Sequence, residues 1–149
     1  DKTDELLIKG DSVVHDYLNA DLTLEDGYFN TGDIATIDDE GYIYILDRRS
    51  DLIISGGENI YPKEIEDVVY LLDEVKRCVV IKKEDDEWGD VPILLLEDQV
   101  DEAGLLDHLS AHLAKYKMPR EIHYVDEIVM TSTGKISRYK NQKMFLNRP

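Results

Sequence analysis

Three stretches hold residues whose types and spacing could do chemistry. Thr131-Ser-Thr-Gly-Lys135 is a flexible run of small residues that ends in a lysine. Such a loop can carry an ammonium into a site built elsewhere, although a bare lysine is more often a solvated surface cation. Asp47-Arg-Arg-Ser-Asp-Leu-Ile-Ile-Ser-Gly-Gly-Glu-Asn-Ile-Tyr-Pro62 joins two arginines, an apolar strand-like run, a glycine pair and a proline able to open a helix. That order describes a charged pivot feeding a strand, then a bare backbone turn that something approaches closely. Glycine pairs are used where φ must be positive or where a side chain would block a ligand. Upstream lies Gly27-Tyr-Phe-Asn-Thr-Gly-Asp33.

Other motifs fail on spacing. A Walker A reading of Thr133-Gly134-Lys135 needs glycine at 129 and Ser or Thr at 136, which are Val129 and Ile136. Gly56-Gly57 lacks the third glycine of a dinucleotide fingerprint, since position 61 is Tyr61. His108 and His112 lie four apart as zinc ligands can, but no glutamate base or third ligand accompanies them, so no metal site is assigned. Glu84–Glu87 lacks calcium-loop ligand order and reads as a solvated turn. Trp88, beside Gly89, is either a stacking platform or an aromatic closing the sheet; taken alone, the second is favoured.

The chain has 149 residues, with 17 Lys and Arg against 33 Asp and Glu, for a net charge of -16. That balance argues against nucleic acid, which needs a basic face, and against anionic membrane surfaces. The scarce cations nevertheless gather: Arg48, Arg49, then Lys115, Lys117, Arg120, Lys135 and Arg138. They either serve a phosphate-bearing partner or balance neighbouring acids, and spacing alone leaves the two level. No apolar run approaches a membrane span, and Asp1-Lys-Thr-Asp-Glu lacks a signal pattern, so the cytoplasm is expected. The lone Cys78, in an apolar run, reads as a buried inert thiol.

The elements that must position these residues follow from pattern. Glu5–Lys9 makes a short strand, followed by a turn-rich stretch through Gly27. Ile34–Ile37 and Tyr42–Leu46 form a hairpin around Asp38–Gly41, with glycine at positive φ. Pro62 opens a helix with Ile65, Val68, Val69 and Leu72 on one face. Val75–Ile81 and Val91–Leu96 read as paired strands joined by a long polar turn. Asp101 caps a second helix that buries Leu105, Leu106, Leu109 and Leu113; Pro119 stops it, and Glu121–Val125 returns as a strand. The tail from Met130 carries Gly, Ser and Thr, then a basic run. The expected class is α+β: a small C-terminal lobe over residues 49–149, its short, mostly antiparallel sheet packed by helices. Residues 1–48, strands without a covering helix, read as the β-rich end of a larger N-terminal domain.

Together, the three ordered stretches resemble the adenylate-forming superfamily of acyl-CoA ligases, luciferases and peptide-synthetase adenylation domains. Ala114-Lys-Tyr-Lys-Met-Pro119 supports this more weakly. The resemblance implies a two-step reaction, in which a carboxylate and ATP give an acyl-adenylate and a thiol then displaces AMP. It also implies a small C-terminal domain that turns between the steps. By the same resemblance, Lys135 is the catalytic lysine of the first step. Asp33 and Arg48 hold the ribose of ATP or AMP. Gly57, flanked by Gly56 and Glu58, lines the pantetheine tunnel of CoA, with Trp88, Lys117 and Arg120 also on the CoA side. Ser50 and Asp51 are the pivot, Ser50 standing where many relatives carry Asp or Lys. ATP, CoA and Mg2+ are the implied cofactors, bound with the missing N-terminal domain; this chain alone holds none. A small-molecule carboxylate is the partner. The alternatives are another aryl or medium-chain acyl-CoA ligase, or an adenylation domain that loads a carrier protein in place of free CoA, and a homodimer through the full-length protein is compatible with the pattern. Without the N-terminal domain the chain is expected to be inactive.

Overall fold

A computed structural model describes residues 2–13 and 24–147 and divides the chain into two compact units, Asp1–Ser50 and Asp51–Pro149. Part of the turn-rich stretch expected before Gly27 lies outside the described residues.

The first unit is a sheet of β1 (Lys2–Ile8), β2 (Leu24–Glu25), β3 (Tyr28–Ile37) and β4 (Ile43–Arg48). β3 is the centre: β1 runs antiparallel along one edge, and β2 and β4 pair antiparallel with it elsewhere. The β3–β4 hairpin forms as expected, with Gly41 at φ 90° and Asp38 accepting from the backbone N–H of Glu40 and Tyr42. Among its described residues, this unit buries only Ile34 and Ala35 as apolar side chains, while Tyr42, Ile43, Tyr44 and Ile45 are all exposed.

The second unit is built on β8 (Gly89–Leu96). β7 (Cys78–Asp85) pairs antiparallel with it along its whole length. β5 (Ile53–Ser55) joins it through Ser55 and Gly89, and carries β6 (Glu58–Ile60) beyond. β9 (Glu121–Tyr124) runs parallel to it. The helices are α1 (Pro62–Val69), α2 (Glu102–His112) and α3 (Arg138–Leu146). The strand period of two splits β7 and β8 between two cores. Cys78, Val80, Leu94 and Leu96 join Ile65 and Val69 of α1 and Leu105 and Leu109 of α2. Val79, Ile81, Ile93 and Leu95 join Ile128, with Ile136 and Phe145 packed against them. Both faces of β8 are therefore covered, which explains its unbroken apolar run.

Pro62 occupies the first turn of α1, and the Asp101 side chain caps α2 by accepting from Gly104 N–H at 3.1 Å. Leu106 is exposed, so the buried stripe of α2 is Leu105, Leu109 and Leu113. The turn between β7 and β8 is short, because the ladder continues through Glu84–Asp90 and Asp85–Gly89. Burial pushes the Cys78 thiol up to about 12, which keeps it neutral and inert. No described helix is long and apolar enough to cross a membrane.

The basic tail, expected only as a polar run, folds as α3. Its first residue, Arg138, is largely buried and donates to both Glu66 oxygens of α1, to the Val80 carbonyl of β7 at 2.6 Å and to Asp51 at 3.1 Å. Glu66 also accepts from the Val80 N–H at 2.7 Å. Removing one partner from such a buried pair strands the other charge, at roughly 3–5 kcal/mol. Arg138→Ala is thus expected to lower the unfolding free energy of the chain by about that amount in urea denaturation. Arg138→Lys should recover only part of it, since an ammonium cannot reproduce the guanidinium fork. A loss under about 1 kcal/mol for Arg138→Ala would show the hub to be dispensable.

Candidate functional site

In the first unit, Asp33 and Arg48 face each other across β3 and β4, with Arg48 Nε 3.0 Å from Asp33 Oδ1. Thr31-Gly32 sets this up. Gly32 sits at φ 72°, and its N–H donates to Asn30 Oδ1 at 2.8 Å. The Thr31 hydroxyl donates to the Leu6 carbonyl and accepts from Asp33 N–H, while Arg48 Nη1 donates to the Thr31 carbonyl at 3.1 Å. The Arg48 side chain is 63 % exposed, so the pair adds at most about 1 kcal/mol of stability. What it does is hold a carboxylate and a guanidinium at one place. Its neighbour Arg49 pairs with Glu5.

In the second unit, Gly56 and Gly57 join β5 to β6 as a two-residue hairpin turn, at φ 57° and 87°. Both central residues at positive φ is the geometry that glycine pairs supply. The Gly56 N–H donates to the Trp88 carbonyl at 2.8 Å. A Cβ on Gly56 would stand 2.9 Å from Trp88 Cε3, so the indole lies directly on the bare turn. The Arg120 guanidinium sits over the same indole, 5.1 Å from its centroid, a cation–π contact. These groups line a groove of about 820 Å³, together with Glu58, Lys115 and Tyr116. It offers two cations, one carboxylate and two aromatic faces, with the Trp88 indole packed on the Gly56 backbone.

Of the residues singled out in the sequence, Gly56, Glu58, Trp88 and Arg120 come together in this groove. Gly57 completes the turn, with open space where a Cβ would stand, but does not line the groove. Lys117 is turned elsewhere, its ammonium held by Glu64 of α1 at 2.6 and 2.8 Å. Burial pulls the Lys117 ammonium down, but the hydrogen bond and charge of Glu64 outweigh it, and the net shift is upward. Lys115 and Tyr116 line the groove instead. The tight 3-10 turn Lys115–Lys117 separates neighbours by about a third of a turn, so neighbouring basic residues point in different directions.

Lys135 sits at the end of a closed hairpin turn rather than a slack loop. Thr131 N–H donates to the Lys135 carbonyl at 2.6 Å, Lys135 N–H to Thr131 Oγ1 at 3.1 Å, and Gly134 N–H to the Thr131 carbonyl at 3.0 Å. Gly134 is at φ 80°, Met130 and Ile136 bridge antiparallel, and Lys135 is exposed. Ser50 and Asp51 belong to the 3-10 turn Arg49–Asp51, and the boundary between the units falls between them. His108 Nε2 lies 2.9 Å from the Val68 carbonyl, and His112 Nδ1 2.8 Å from the His108 carbonyl.

Gly56→Ala should destabilise the second unit by about 1–3 kcal/mol more than Gly57→Ala, because only the first collides with Trp88. Trp88 is the single tryptophan, so its emission should shift in Gly56→Ala and stay in place in Gly57→Ala. Equal effects at the two positions would mean that backbone strain alone sets the cost.

Residues 64–135 match the AMP-binding enzyme C-terminal domain. A 2-succinylbenzoate–CoA ligase of Staphylococcus aureus (strain JH9) is 52% identical over 141 residues, which is 91% of this chain and 29% of that protein. One from Staphylococcus epidermidis (strain ATCC 12228) is 47% identical over 149 residues, 96% of this chain and 31% of its own length. The solved o-succinylbenzoate CoA synthetase of Bacillus subtilis, in complex with its acyl-adenylate intermediate, superposes with a TM-score of 0.86 at 38% identity. That match covers 95% of this chain and 30% of the synthetase. The chain therefore spans about three-tenths of the length of these relatives.

Proposed function

Since the chain belongs to the adenylate-forming superfamily, with its AMP-binding C-terminal domain across residues 64–135, we propose that it is the C-terminal part of an AMP-forming acid–thiol ligase. The acid proposed is 2-succinylbenzoate, with ATP and CoA as co-substrates, in the cytoplasmic menaquinone route. The observation that carries this reading is the high identity to proteins of that name over nearly the whole chain. The sparse core of the first unit supports a boundary near residue 48, beyond which the N-terminal domain supplies the cover that Tyr42–Ile45 lack.

In this reading each half of the chain supplies one recognition element and one charge. Asp33 accepts hydrogen bonds from the ribose hydroxyls of ATP, and Arg48, already tied to Asp33 and Thr31, orients that carboxylate and donates beside it. Lys135 brings its ammonium to the oxygens of the attacking carboxylate and the α-phosphate. Charge gathers there as the C–O–P bond forms and pyrophosphate leaves, and a preplaced cation lowers that barrier. For the second step, the pantetheine arm passes the turn at Gly57, where open space stands in place of a side chain, while Lys115 and Arg120 meet CoA phosphates near Trp88. Lys117, engaged by Glu64, shapes the groove from outside it. Ser50 and Asp51 form the pivot between the two poses, a role that needs only a residue able to absorb a φ/ψ change. One solved relative is a complex with ATP and magnesium. Among the described residues, no group of three or more His, Cys, Asp or Glu is placed to hold a metal ion.

Two measurements test the reading. The 149-residue chain alone should show no acid-dependent ATP–pyrophosphate exchange, and robust exchange would contradict it. In the full-length protein, Lys135→Ala should reduce adenylation of 2-succinylbenzoate by about 10²–10³-fold while CoA still converts preformed acyl-adenylate. Equal loss of both half-reactions would remove Lys135 from its assigned role.

A further inference from the structure

The Lys135 hairpin stands on two feet, Val129 before it and Ser137 after it, and one side chain holds both. Asn141, in the second turn of α3, is only 4% exposed. Its Oδ1 accepts from Val129 N–H at 2.8 Å, and its Nδ2 donates to the Val129 carbonyl at 3.0 Å and the Ser137 carbonyl at 2.9 Å. Ser137 N–H also donates to the Val129 carbonyl at 3.0 Å, closing the base of the hairpin, and the Ser137 hydroxyl caps α3 through Lys140 N–H. Asparagine is a poor helix-interior residue because it competes for backbone hydrogen bonds. A buried one persists where all its polar atoms find partners, and here they bridge the loop to the helix.

We propose that Asn141 is a positioning residue for the Lys135 ammonium. It converts the rigidity of α3 into a fixed register of the Thr131–Lys135 turn. This rests on the role of Lys135 given under Proposed function. Asn141 touches neither substrate nor reacting atoms. It acts by holding both strands of the hairpin at the residue next to the Met130–Ile136 bridge, so the turn cannot swing about its base. Arg138, three residues earlier, anchors the same helix to α1 and β7, so hairpin, helix and sheet form one continuous support.

The test uses the full-length protein with 2-succinylbenzoate, ATP and CoA. Asn141→Leu keeps the branched four-atom shape, with bulkier methyls in place of the amide, and removes all three side-chain bonds to the hairpin. Its kcat for adenylation should fall by about tenfold or more, with KM for ATP and the rate of thioester formation from preformed acyl-adenylate each held within about twofold. Asn141→Asp keeps the acceptor on Val129 N–H and loses both donors. It should show the same selective loss, and it carries the test if Asn141→Leu does not fold. Equal loss in both half-reactions, or no loss in adenylation, would overturn the inference. Lys135→Ala, measured alongside, separates the two levels. If it cripples adenylation and the Asn141 variants do not, the positioning role alone fails. If it leaves adenylation intact, the underlying assignment of Lys135 fails with it.

Discussion

The guanidinium of Arg138 is where the second unit is tied together, because three separate pieces of chain terminate polar groups on it and it opens a fourth. Asp51 opens the unit, Glu66 belongs to α1, Val80 to β7 and Arg138 itself begins α3. Desolvating a guanidinium and a carboxylate costs several kcal/mol for each ion, and only a near-complete set of hydrogen bonds offsets that. Here the fork meets two carboxylates and a carbonyl, while Glu66 also satisfies a strand N–H. The geometry of a planar five-donor group is what allows one residue to serve so many acceptors. α3 has no strong apolar stripe; besides Phe145, which packs on the second core, it is held by these bonds and by those of Asn141 to Val129 and Gln142 to Lys82 N–H.

That constraint interacts with the two-faced sheet. With α1 and α2 on one side of β8, the opposite side would expose Val79, Ile81, Ile93 and Leu95 unless something covered it. Ile128, Ile136 and Phe145 do so, and they flank or belong to the hairpin and α3. The segment that carries Lys135 is therefore held from both ends: by apolar packing at Ile128 and Ile136, and by the buried polar bonds of Arg138 and Asn141. The ammonium projects outward from a base that is structurally part of the core.

What could be read from the sequence is what local chemistry decides. Pro62 at the first turn of α1, Asp101 as the cap of α2 and Gly41 in the β3–β4 hairpin each act through their own few neighbours. α3 could not be read, because a basic run with little hydrophobic periodicity becomes a helix only through partners dozens of residues away. The same holds for the groove. Trp88 lies against Gly56 through a strand pairing of Ser55 with Gly89, and Lys117 is drawn from the groove by Glu64, 53 positions earlier. For Arg138, which the sequence left level between a phosphate partner and neighbouring acids, the structure gives the acids, Asp51 and Glu66. The parallel alignment of β9 was equally hidden, since an apolar strand reads the same in either direction.

The charge balance gives the arrangement its logic. In a chain with 33 acidic against 17 basic residues, several lysines settle on a carboxylate: Lys63 on Asp67, Lys82 on Asp90, Lys83 on Glu121 and Lys117 on Glu64. Lys135 has no carboxylate within ion-pair distance among the described residues. Its turn is instead filled by Thr131, Ser132, Thr133 and Gly134, which offer hydroxyls and backbone but no negative charge. An ammonium already neutralised by an internal acid would have to give up that partner before meeting a phosphate, and the exchange would consume the attraction it was meant to provide. In the proposed adenylation step, a turn without acids would leave the full field of the Lys135 cation for the reacting oxygens.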